Sequence, residues 1–536
     1  MTQCRGSLTG ADAGDSPYED AFDNGGIVFD PPSSAFEGEL EVAMSVVDSI
    51  DGSIHYTLDG TLPTESSPVY DAPIAVARTT EIQAAVFVDG LPERFGSAVY
   101  IPKTTDIEID LPIIVLDDFG AGEPDRDHVR AVVMVFDVHD GVASTTRTPE
   151  VAAGAGFHLR GQSTAGFDKK PYRLEFRDGR GYDRDISVLG MPAESDWVLR
   201  GPFVDKSLIR DAFHYSLGAD IGMASPRFAF CELYKNLDGG ELDESDYEGV
   251  YLIVETIKNQ KDRLDLKQLT SADTSLPAIS GGYIFKFEWK AAEAPILDCP
   301  SAASTGPWGD QADGNCWRDL EVVDPIDMNS SQQAWLAKHL YEFSESLHSS
   351  SLDDPDGYGR YIDAQSFMDQ IILNEIGREA DAYIRSAYFY KDRDEVIFAG
   401  PLWDYNFTLG VGFDLMGLEN LDTDGWMYEM NRTRDNPSND WFFTMVDDPS
   451  FHAQLVARWK SLRSGPLSDA SLDERIDSLA ESISSGASRN FHRWSNLGEQ
   501  NIDVFRSPAT TTWDEQITLL EQWLRERLAW MDSQWR

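Results

Sequence analysis

The chain is poor in basic residues, and that shortage excludes several classes of partner. Its 536 residues include 44 Lys and Arg against 93 Asp and Glu, which gives a formal net charge of −49 at pH 7. A surface of this sign repels phosphate, so the sequence predicts no nucleic-acid partner and argues against docking on anionic membranes. It attracts cations instead, and it suits a salty habitat in which counterions screen the repulsion between like charges.

Long apolar runs are also missing. No stretch of about 18 apolar residues occurs, so the sequence predicts no transmembrane helix. The first residues, M-T-Q-C-R, lack the hydrophobic segment of a signal peptide. If a leader had been removed, Cys4 would occupy the position of a lipoprotein acyl-cysteine, although Gln3 is a poor residue before such a cleavage.

Cysteines are few, and their spacing excludes a structural zinc site. The chain has 4 Cys, and none of them forms a pair with zinc-ligand spacing or with nearby His partners. Cys299 and Cys316 flank a loop rich in Gly, Ser and Asp. A disulfide that closes this loop is one interpretation, and it would imply an oxidising compartment.

Apolar and aromatic residues are sufficient for more than one folded core. The sequence is 41% hydrophobic with 14 Trp, and its length predicts two or three domains. Residues 1–26 are acidic and rich in Gly and Ser, which predicts a disordered leader. Short alternating runs between Gly, Pro and Asp predict an all-β domain over 27–103. From 104 to 536 the pattern is mixed, with helices dominant after 330; the capping box T-W-D-E at 512–515 starts the last of them.

A turn-rich segment of the β region resembles a known accessory module. It reads I-H-Y-T-L-D-G-T-L-P-T-E-S-S-P-V-Y at 54–70 and resembles the C-terminal β-sandwich of chitobiase-like glycosidases. The resemblance implies a small immunoglobulin-like β-sandwich without catalytic residues. It also implies contact with a polysaccharide or a cell surface.

Two aspartates bracket a predicted β-hairpin late in the chain. The runs A-Y-F-Y at 387–390 and V-I-F at 396–398 are typical of strands, and K-D-R-D at 391–394 is typical of a turn. Asp381 precedes this hairpin and Asp404 follows it. Such an arrangement can hold a divalent metal beside a nucleophile, which phosphoryl transfer requires. The alternative interpretation is ordinary turn chemistry, since acidic residues are common at strand ends.

Seven segments, in order, resemble the spore coat protein H (CotH) kinase family. The resemblance covers about residues 105–536 and implies an α+β fold: a divergent protein-kinase-like domain with a helical C-terminal part. It further implies a secreted or surface protein that binds ATP with a divalent metal and phosphorylates Ser or Thr of a partner protein. The segments are R-G-Q-S-T at 160–164, K-K-P-Y-R-L-E-F at 169–176, L-G-M-P-A-E-S-D-W-V-L at 189–199, D-K-S-L-I-R-D-A-F at 205–213, E-G-V-Y-L-I-V-E at 248–255, G-G-Y-I-F-K-F-E at 281–288 and the hairpin with its two aspartates.

The resemblance assigns the central roles to the two aspartates. Asp381 matches the catalytic aspartate, which would orient the substrate hydroxyl and receive its proton. Asp404, in a W-D pair, matches the aspartate that binds the metal bridging the ATP phosphates. The implied cofactors are ATP with Mg²⁺ or Mn²⁺, and Ca²⁺ is a further candidate.

Four other residues are candidates for the nucleotide. Lys169 and Lys170 precede a strand from which a lysine can reach the phosphates, and Lys170 is the preferred one. Arg160 would contact the nucleotide or cap a neighbouring strand. Glu255 would pair with a lysine or lie near the adenine, and a buried charge partner or a solvated strand end is the alternative.

The sequence departs from the family pattern at two metal positions. Ser386 stands where members often have the Asn that holds a second metal, and Asn406 stands where they often have a second aspartate. Both changes predict weaker metal affinity, one metal instead of two, or a catalytically degenerate pseudokinase that acts as a surface scaffold. A third interpretation is a glycan-associated protein, which only the chitobiase-like module suggests.

Overall fold

The computed structural model describes residues 26–47, 50–288, 294–300, 316–413, 420–432 and 439–536. The predicted leader 1–26 therefore lies outside the described residues except for its last position. The chain divides into two compact units, here called the first unit (Met1–Gly201 with Phe230–Ile253) and the second unit (Pro202–Ala229 with Val254–Arg536). The domain borders predicted after residues 26 and 103 stay predictions. Within the described ranges, no helix combines the length and the apolar character needed to cross a membrane.

The first unit begins with a β-rich region, as predicted. Its seven strands form the sheets β1-β3-β5 and β2-β7-β6-β4, and both sheets contribute to one apolar core, in which Val42, Ile82 and Val86 have no solvent exposure. Burial alternates along β1 and β5, because successive side chains of a strand point to opposite faces of its sheet. The strands are β1 Ile27–Asp30, β2 Ser34–Phe36, β3 Leu40–Val46, β4 Ser53–Thr57, β5 Ile74–Val76, β6 Thr80–Val88 and β7 Leu91–Pro102.

A closed barrel follows in the first unit, with the strand order β10-β12-β13-β16-β18-β17-β9. β9 pairs in parallel with β17 and antiparallel with β10. β10 is buried along its last six residues, which explains its continuous apolar sequence. The strands of this region are β8 Glu108–Ile109, β9 Ile113–Asp117, β10 Val129–Phe136, β11 Ala143–Ser144, β12 Val151–Leu159, β13 Tyr172–Phe176, β14 Ile186–Val188, β15 Met191–Glu194, β16 Asp196–Arg200, β17 Phe228–Asn236 and β18 Tyr247–Glu255.

The second unit carries the helices, and the C-terminal part is helical as predicted. The helices are α1 Arg210–Ile221, α2 Ser330–Ser349, α3 Ala364–Gly377, α4 Met427–Arg432, α5 Trp441–Asp447, α6 Pro449–Arg463, α7 Asp469–Arg493 and α8 Trp513–Gln534. The predicted capping box at the start of α8 is present: the Glu515 backbone N–H donates to Thr512 Oγ1 at 3.3 Å, and the Thr512 backbone N–H donates to the Glu515 carboxylate at 3.2 Å. The structure is thus mixed α+β.

Two sheets complete the second unit, with the orders β20-β19-β21-β22 and β23-β25-β24. The predicted hairpin is β21 with β22, paired antiparallel from Phe389 opposite Ala399 to Lys391 opposite Ile397. Cys299 and Cys316 form a disulfide. The strands are β19 Tyr283–Phe287, β20 Leu320–Asp324, β21 Ala387–Lys391, β22 Ile397–Ala399, β23 Gly412–Phe413, β24 Asn501–Ile502 and β25 Phe505–Arg506.

Carboxylates crowd together in the first unit where the parallel strands β9 and β17 end. Asp117 stands opposite Asn236 and accepts hydrogen bonds from the Asn236 amide at 2.9 Å and the Thr79 hydroxyl at 2.6 Å. Burial raises the pKa of Asp117 to about 6, and repulsion from Asp118 and Asp238 adds to the rise.

Asp246 belongs to the same cluster of carboxylates. Its carboxylate accepts the Asp243 backbone N–H at 2.9 Å. Burial raises the pKa of Asp246 to about 6, and repulsion from Asp243, Asp238 and Asp117 acts in the same direction. The folded chain therefore holds protons here at a pH where the unfolded chain has lost them.

This difference in bound protons predicts a pH dependence of stability. Because the folded pKa of Asp246 lies above its unfolded value near 4, the free energy of unfolding should fall as the pH rises from about 4 to about 6. Asp246→Asn keeps an acceptor for the Asp243 N–H and should be the more stable protein above pH 6, with little difference at pH 4. Urea unfolding midpoints at fixed ionic strength measure both effects.

Asp273→Asn in the second unit is the control of opposite sign. Hydrogen bonds from Thr270 lower the pKa of Asp273, so its loss should reduce stability above pH 4. A fall in stability between pH 4 and 6 that is as steep in Asp246→Asn as in the parent protein would contradict the role of Asp246.

Candidate active site

The first of the two predicted aspartates lies in the loop between α3 and β21. Helix α3 ends at Gly377, and the chain turns through Asp381, whose backbone N–H donates to Glu379 Oε1 at 3.0 Å. The Asp381 carboxylate forms an ion pair with Arg385, with Arg385 Nη1 at 3.2 Å from Asp381 Oδ1. Both side chains are about a quarter exposed. Asp381 is thus held in one orientation at a position that solvent reaches.

The second aspartate lies just beyond β22. Asp404 follows the end of that strand at Ala399 and adopts a left-handed backbone, with φ of 70°. Ser386, immediately before β21, donates its hydroxyl to Asp404 Oδ2 at 3.4 Å. Antiparallel pairing of β21 with β22 explains this meeting, because it brings the start of one strand beside the end of the other. The structure therefore brings two predicted metal positions, Ser386 and Asp404, into contact.

The third predicted metal position, Asn406, has an unsatisfied oxygen. Its side-chain Oδ1 is shielded from solvent and has no hydrogen-bond partner among the described residues. A buried acceptor without a donor costs about 1–3 kcal/mol, so its retention calls for an explanation such as an ion or water. Carboxylate, hydroxyl and amide oxygens are the metal ligands that Mg²⁺ prefers. The residues present therefore fit a hard divalent cation.

The three predicted metal ligands carry little charge. Asp404 contributes one carboxylate, whereas Ser386 and Asn406 are neutral. Across the parts of the chain that the structure describes, no group of three or more Asp, Glu, His or Cys has a geometry that could hold a metal. An ion held by these three residues would therefore meet one protein charge and two neutral oxygens.

The two candidate lysines belong to the first unit and have different surroundings. Lys169 is completely buried, and its ammonium donates to the Val250 carbonyl at 2.6 Å and lies 5.0 Å from the centre of the Tyr251 ring. Lys170 is 30% exposed and lies 3.4 Å from the Glu123 carboxylate. Of the two, Lys170 has the ammonium that a solvent-borne phosphate can reach.

Glu123 connects Lys170 to the barrel. Its carboxylate also accepts from Lys235 at 2.8 Å and from the Tyr172 hydroxyl at 2.6 Å. Burial alone would raise the pKa of Glu123, but Lys235, Tyr172 and Lys170 together lower it. Glu123 was not among the residues that the sequence singled out, since nothing in its neighbourhood along the chain marks it.

The remaining two candidates are Arg160 and Glu255. Arg160 directly follows β12, and its backbone N–H donates to the Pro171 carbonyl at 3.2 Å. Glu255 ends β18 and belongs to the second unit, where its carboxylate accepts the Arg227 guanidinium at 2.7 Å and the Arg227 backbone N–H at 2.9 Å. Arg263 forms a further ion pair with it. Glu255 thus pairs with two arginines and not with the lysine that the sequence suggested.

A fully buried ion pair supports the Asp381 loop, and the sequence analysis missed it. Glu375, in the last turn of α3, and Arg527, on α8, have no solvent exposure, and their charged groups lie 3.0 Å apart. The Tyr383 hydroxyl donates to Glu375 Oε1 at 2.8 Å, which ties down the residue two positions after Asp381. An acid within an apolar helix stripe was the available signal, but the sequence alone does not show its partner 152 residues away.

The Glu375 carboxylate also accepts hydrogen bonds from the start of α4. The backbone N–H groups of Met427 and Tyr428 donate to Glu375 at 2.9 and 3.0 Å. Burial raises the pKa of Glu375, and Arg527 together with these donors acts against that rise. Every oxygen of this buried carboxylate is therefore engaged, which is the condition for tolerating a charge in the interior.

Two protein-family models match the chain, in the order that the sequence predicted. The model described as CotH kinase protein matches residues 157–531, more than half of the chain. The model described as chitobiase/beta-hexosaminidase C-terminal domain matches residues 31–100. Both resemblances are thereby confirmed. No curated protein matches the chain.

The buried ion pair makes a prediction about stability. Arg527→Met should reduce the free energy of unfolding by about 3–5 kcal/mol, because it leaves the Glu375 charge buried without a cation. The double variant Glu375→Gln with Arg527→Met should lose less, since a glutamine oxygen can still accept from Tyr383. Chemical denaturation of the three proteins measures this order. Equal losses in the single and double variants would contradict the charge argument.

Proposed function

Because the chain belongs to the CotH kinase protein family, we propose that it is an atypical kinase. It would transfer the γ-phosphate of ATP, with a divalent metal, to Ser or Thr of a partner protein. The observation that carries the proposal is the β21–β22 hairpin, which has Asp381 before it, Asp404 after it and the Ser386 hydroxyl on Asp404 at 3.4 Å. Phosphoryl transfer depends mostly on such positioning of charges.

In this proposal Asp381 binds the substrate hydroxyl. Its carboxylate orients the hydroxyl toward the γ-phosphate and takes up the hydroxyl proton as the new oxygen–phosphorus bond forms, while the bond from the γ-phosphorus to the β–γ bridging oxygen breaks and ADP leaves. Arg385 orients this carboxylate through the ion pair between Arg385 Nη1 and Asp381 Oδ1, which lie 3.2 Å apart. The partial exposure of Asp381 supports this role, because a protein substrate must reach it from solvent.

Asp404 is the proposed principal metal ligand, assisted by Ser386 and Asn406. A bound Mg²⁺ or Mn²⁺ would neutralise charge on the phosphates. The unsatisfied Asn406 oxygen supports a place for it among the ligands. Since only one of the three residues is charged, a single ion of modest affinity is proposed, and Ca²⁺ is a less suitable occupant because it takes six to eight oxygen ligands.

For the nucleotide phosphates we propose Lys170 over Lys169. The Lys169 ammonium is buried against a backbone carbonyl, whereas Lys170 is partly exposed. Arg160 stays a further candidate. Glu255 is better explained as the structural partner of two arginines than as a nucleotide contact.

A second candidate function is a surface scaffold without kinase activity. Ser386 and Asn406 favour it, because both replace stronger metal ligands of the family pattern with neutral ones. The chitobiase-like match at 31–100 supports an extracellular or cell-surface protein that contacts carbohydrate, and the Cys299–Cys316 disulfide agrees with an oxidising compartment.

Calorimetric titration of ATP tests the kinase proposal. We expect binding with Mg²⁺ or Mn²⁺, none with EDTA, and at least a tenfold loss in Asp404→Ala, because the alanine removes the only charged ligand. Glu395→Ala, an exposed position at the turn end of the same hairpin, is the matched control and should bind as the parent does. Equal ATP binding with EDTA would overturn the proposal.

Restoring the family ligands separates the two candidate functions. Ser386 has a left-handed backbone, with φ of 47°, which asparagine tolerates well. The variant Ser386→Asn with Asn406→Asp should therefore fold and bind Mn²⁺ more tightly. Phosphate transfer from labelled ATP in the parent protein supports the kinase, whereas transfer that appears only in the restored variant identifies the natural chain as a scaffold.

A further inference from the structure

Asp404 has a left-handed backbone, with φ of 70°. This region is unfavourable for most non-glycine residues, although aspartate enters it more readily than most of them. Contacts with surrounding residues can hold such a conformation in place. The contacts of this short loop therefore show what sets the direction of the Asp404 carboxylate.

Two consecutive backbone N–H groups of the loop donate hydrogen bonds to side chains of helix α1. The Asp404 N–H donates to the Tyr215 hydroxyl at 3.3 Å, and the Tyr405 N–H donates to Asp211 Oδ1 at 2.9 Å. Asp211 and Tyr215 are four residues apart, so they lie on one face of α1. Both are buried. On the same face, His214 stacks on the Tyr405 ring, with their centres 4.5 Å apart.

The first residue of α1 holds the far end of the loop. Arg210 Nε donates to the Thr408 carbonyl at 2.9 Å, and Arg210 Nη2 donates to the Leu409 carbonyl at 3.0 Å. Asp205 fixes this arginine: it accepts the Arg210 backbone N–H at 3.0 Å and pairs with the guanidinium. The segment D-K-S-L-I-R at 205–210 thus acts on the loop through one buried guanidinium.

We propose that Asp211 and Tyr215 are positioning residues that hold Asp404 in its left-handed conformation and so aim its carboxylate, with Arg210 holding the loop beyond it. The proposal rests on the function proposed above for Asp404. It explains why a helix distant in sequence matters to the metal site: α1 supplies the acceptors for two N–H groups that the turn itself leaves unpaired. Neither residue is assigned contact with metal, nucleotide or substrate.

Amide hydrogen exchange in the free protein tests whether Asp211 and Tyr215 hold the loop. Asp211→Ala removes the acceptor of the Tyr405 N–H, and Tyr215→Phe removes the acceptor of the Asp404 N–H. Each should speed the exchange of its own amide by about fivefold, the effect of one hydrogen bond. Asp211→Asn keeps an amide oxygen at the same place and should restore slow exchange of Tyr405.

Binding of Mn²⁺ with ATP tests the functional part. Tyr215→Phe should weaken this binding about fivefold without a comparable change in melting temperature. Tyr283→Phe is the matched control, because it also removes a buried hydroxyl, one that donates to the Ile279 carbonyl at 2.9 Å. In a background of Asp404→Asn the effect of Tyr215→Phe should disappear, since the two residues act through one group.

The outcomes are separable. Unchanged exchange at Asp404 and Tyr405 in both variants overturns the positioning proposal, whether or not the protein binds nucleotide. A parent protein that binds no Mn²⁺ with ATP overturns the proposed function, while the exchange data still decide whether α1 sets the loop. Equal weakening in Tyr215→Phe and Tyr283→Phe, or a Tyr215→Phe effect that survives Asp404→Asn, overturns the specific role of Tyr215.

Discussion

The second unit depends on one buried charge pair, Glu375 with Arg527. Two opposite charges without solvent exposure are tolerated only when each is fully hydrogen-bonded, and here the arginine also donates to the Glu375 carbonyl at 2.7 Å and to the Gly425 carbonyl at 2.7 Å. Its guanidinium lies 4.7 Å from the Trp530 ring centre. The end of α3, the loop after Asp381, the start of α4 and the last helix therefore meet at one point, and none of them can shift without leaving a charge unpaired.

A second buried arginine fixes the loop after Asp404 in the same way, because Arg210 donates to the Thr408 and Leu409 carbonyls. Arg210 and Arg527 are among the largest fully buried side chains of the described residues. Each of these cations lies inside, in a chain that has only 44 Lys and Arg. Because an arginine offers five donors in a rigid fork, one residue can hold several carbonyls of a neighbouring loop.

Local patterns predicted the local features of the site well. The alternation at 387–390 with the apolar run at 396–398 predicted the hairpin, and the 512–515 capping box predicted the start of α8, because both depend on neighbouring residues. The ordered motifs predicted the family. The contact between Ser386 and Asp404 follows from the hairpin, but its closeness needed the left-handed backbones at both residues, which no sequence pattern marked.

Long-range partners could not be predicted. Tyr215 and Asp404 are 189 residues apart and Arg527 and Glu375 are 152 apart, so only the fold brings them together. The pairing of Glu255 with arginines illustrates the same limit. A charged residue at a strand end indicates that a partner exists, but the sequence does not identify that partner. Lys169 and Lys170 are neighbours in sequence, yet Lys169 is buried against the Val250 carbonyl and Lys170 is partly exposed.

The disulfide between Cys299 and Cys316 has a consequence for limited proteolysis of the chain. A protease that cut any peptide bond between these two cysteines would produce two polypeptides that are still covalently joined. The two pieces would stay covalently connected, with one water molecule added by the hydrolysis, until a reductant opened the sulfur–sulfur bond. A single cut between the two cysteines would therefore separate the polypeptides on a denaturing gel only after reduction.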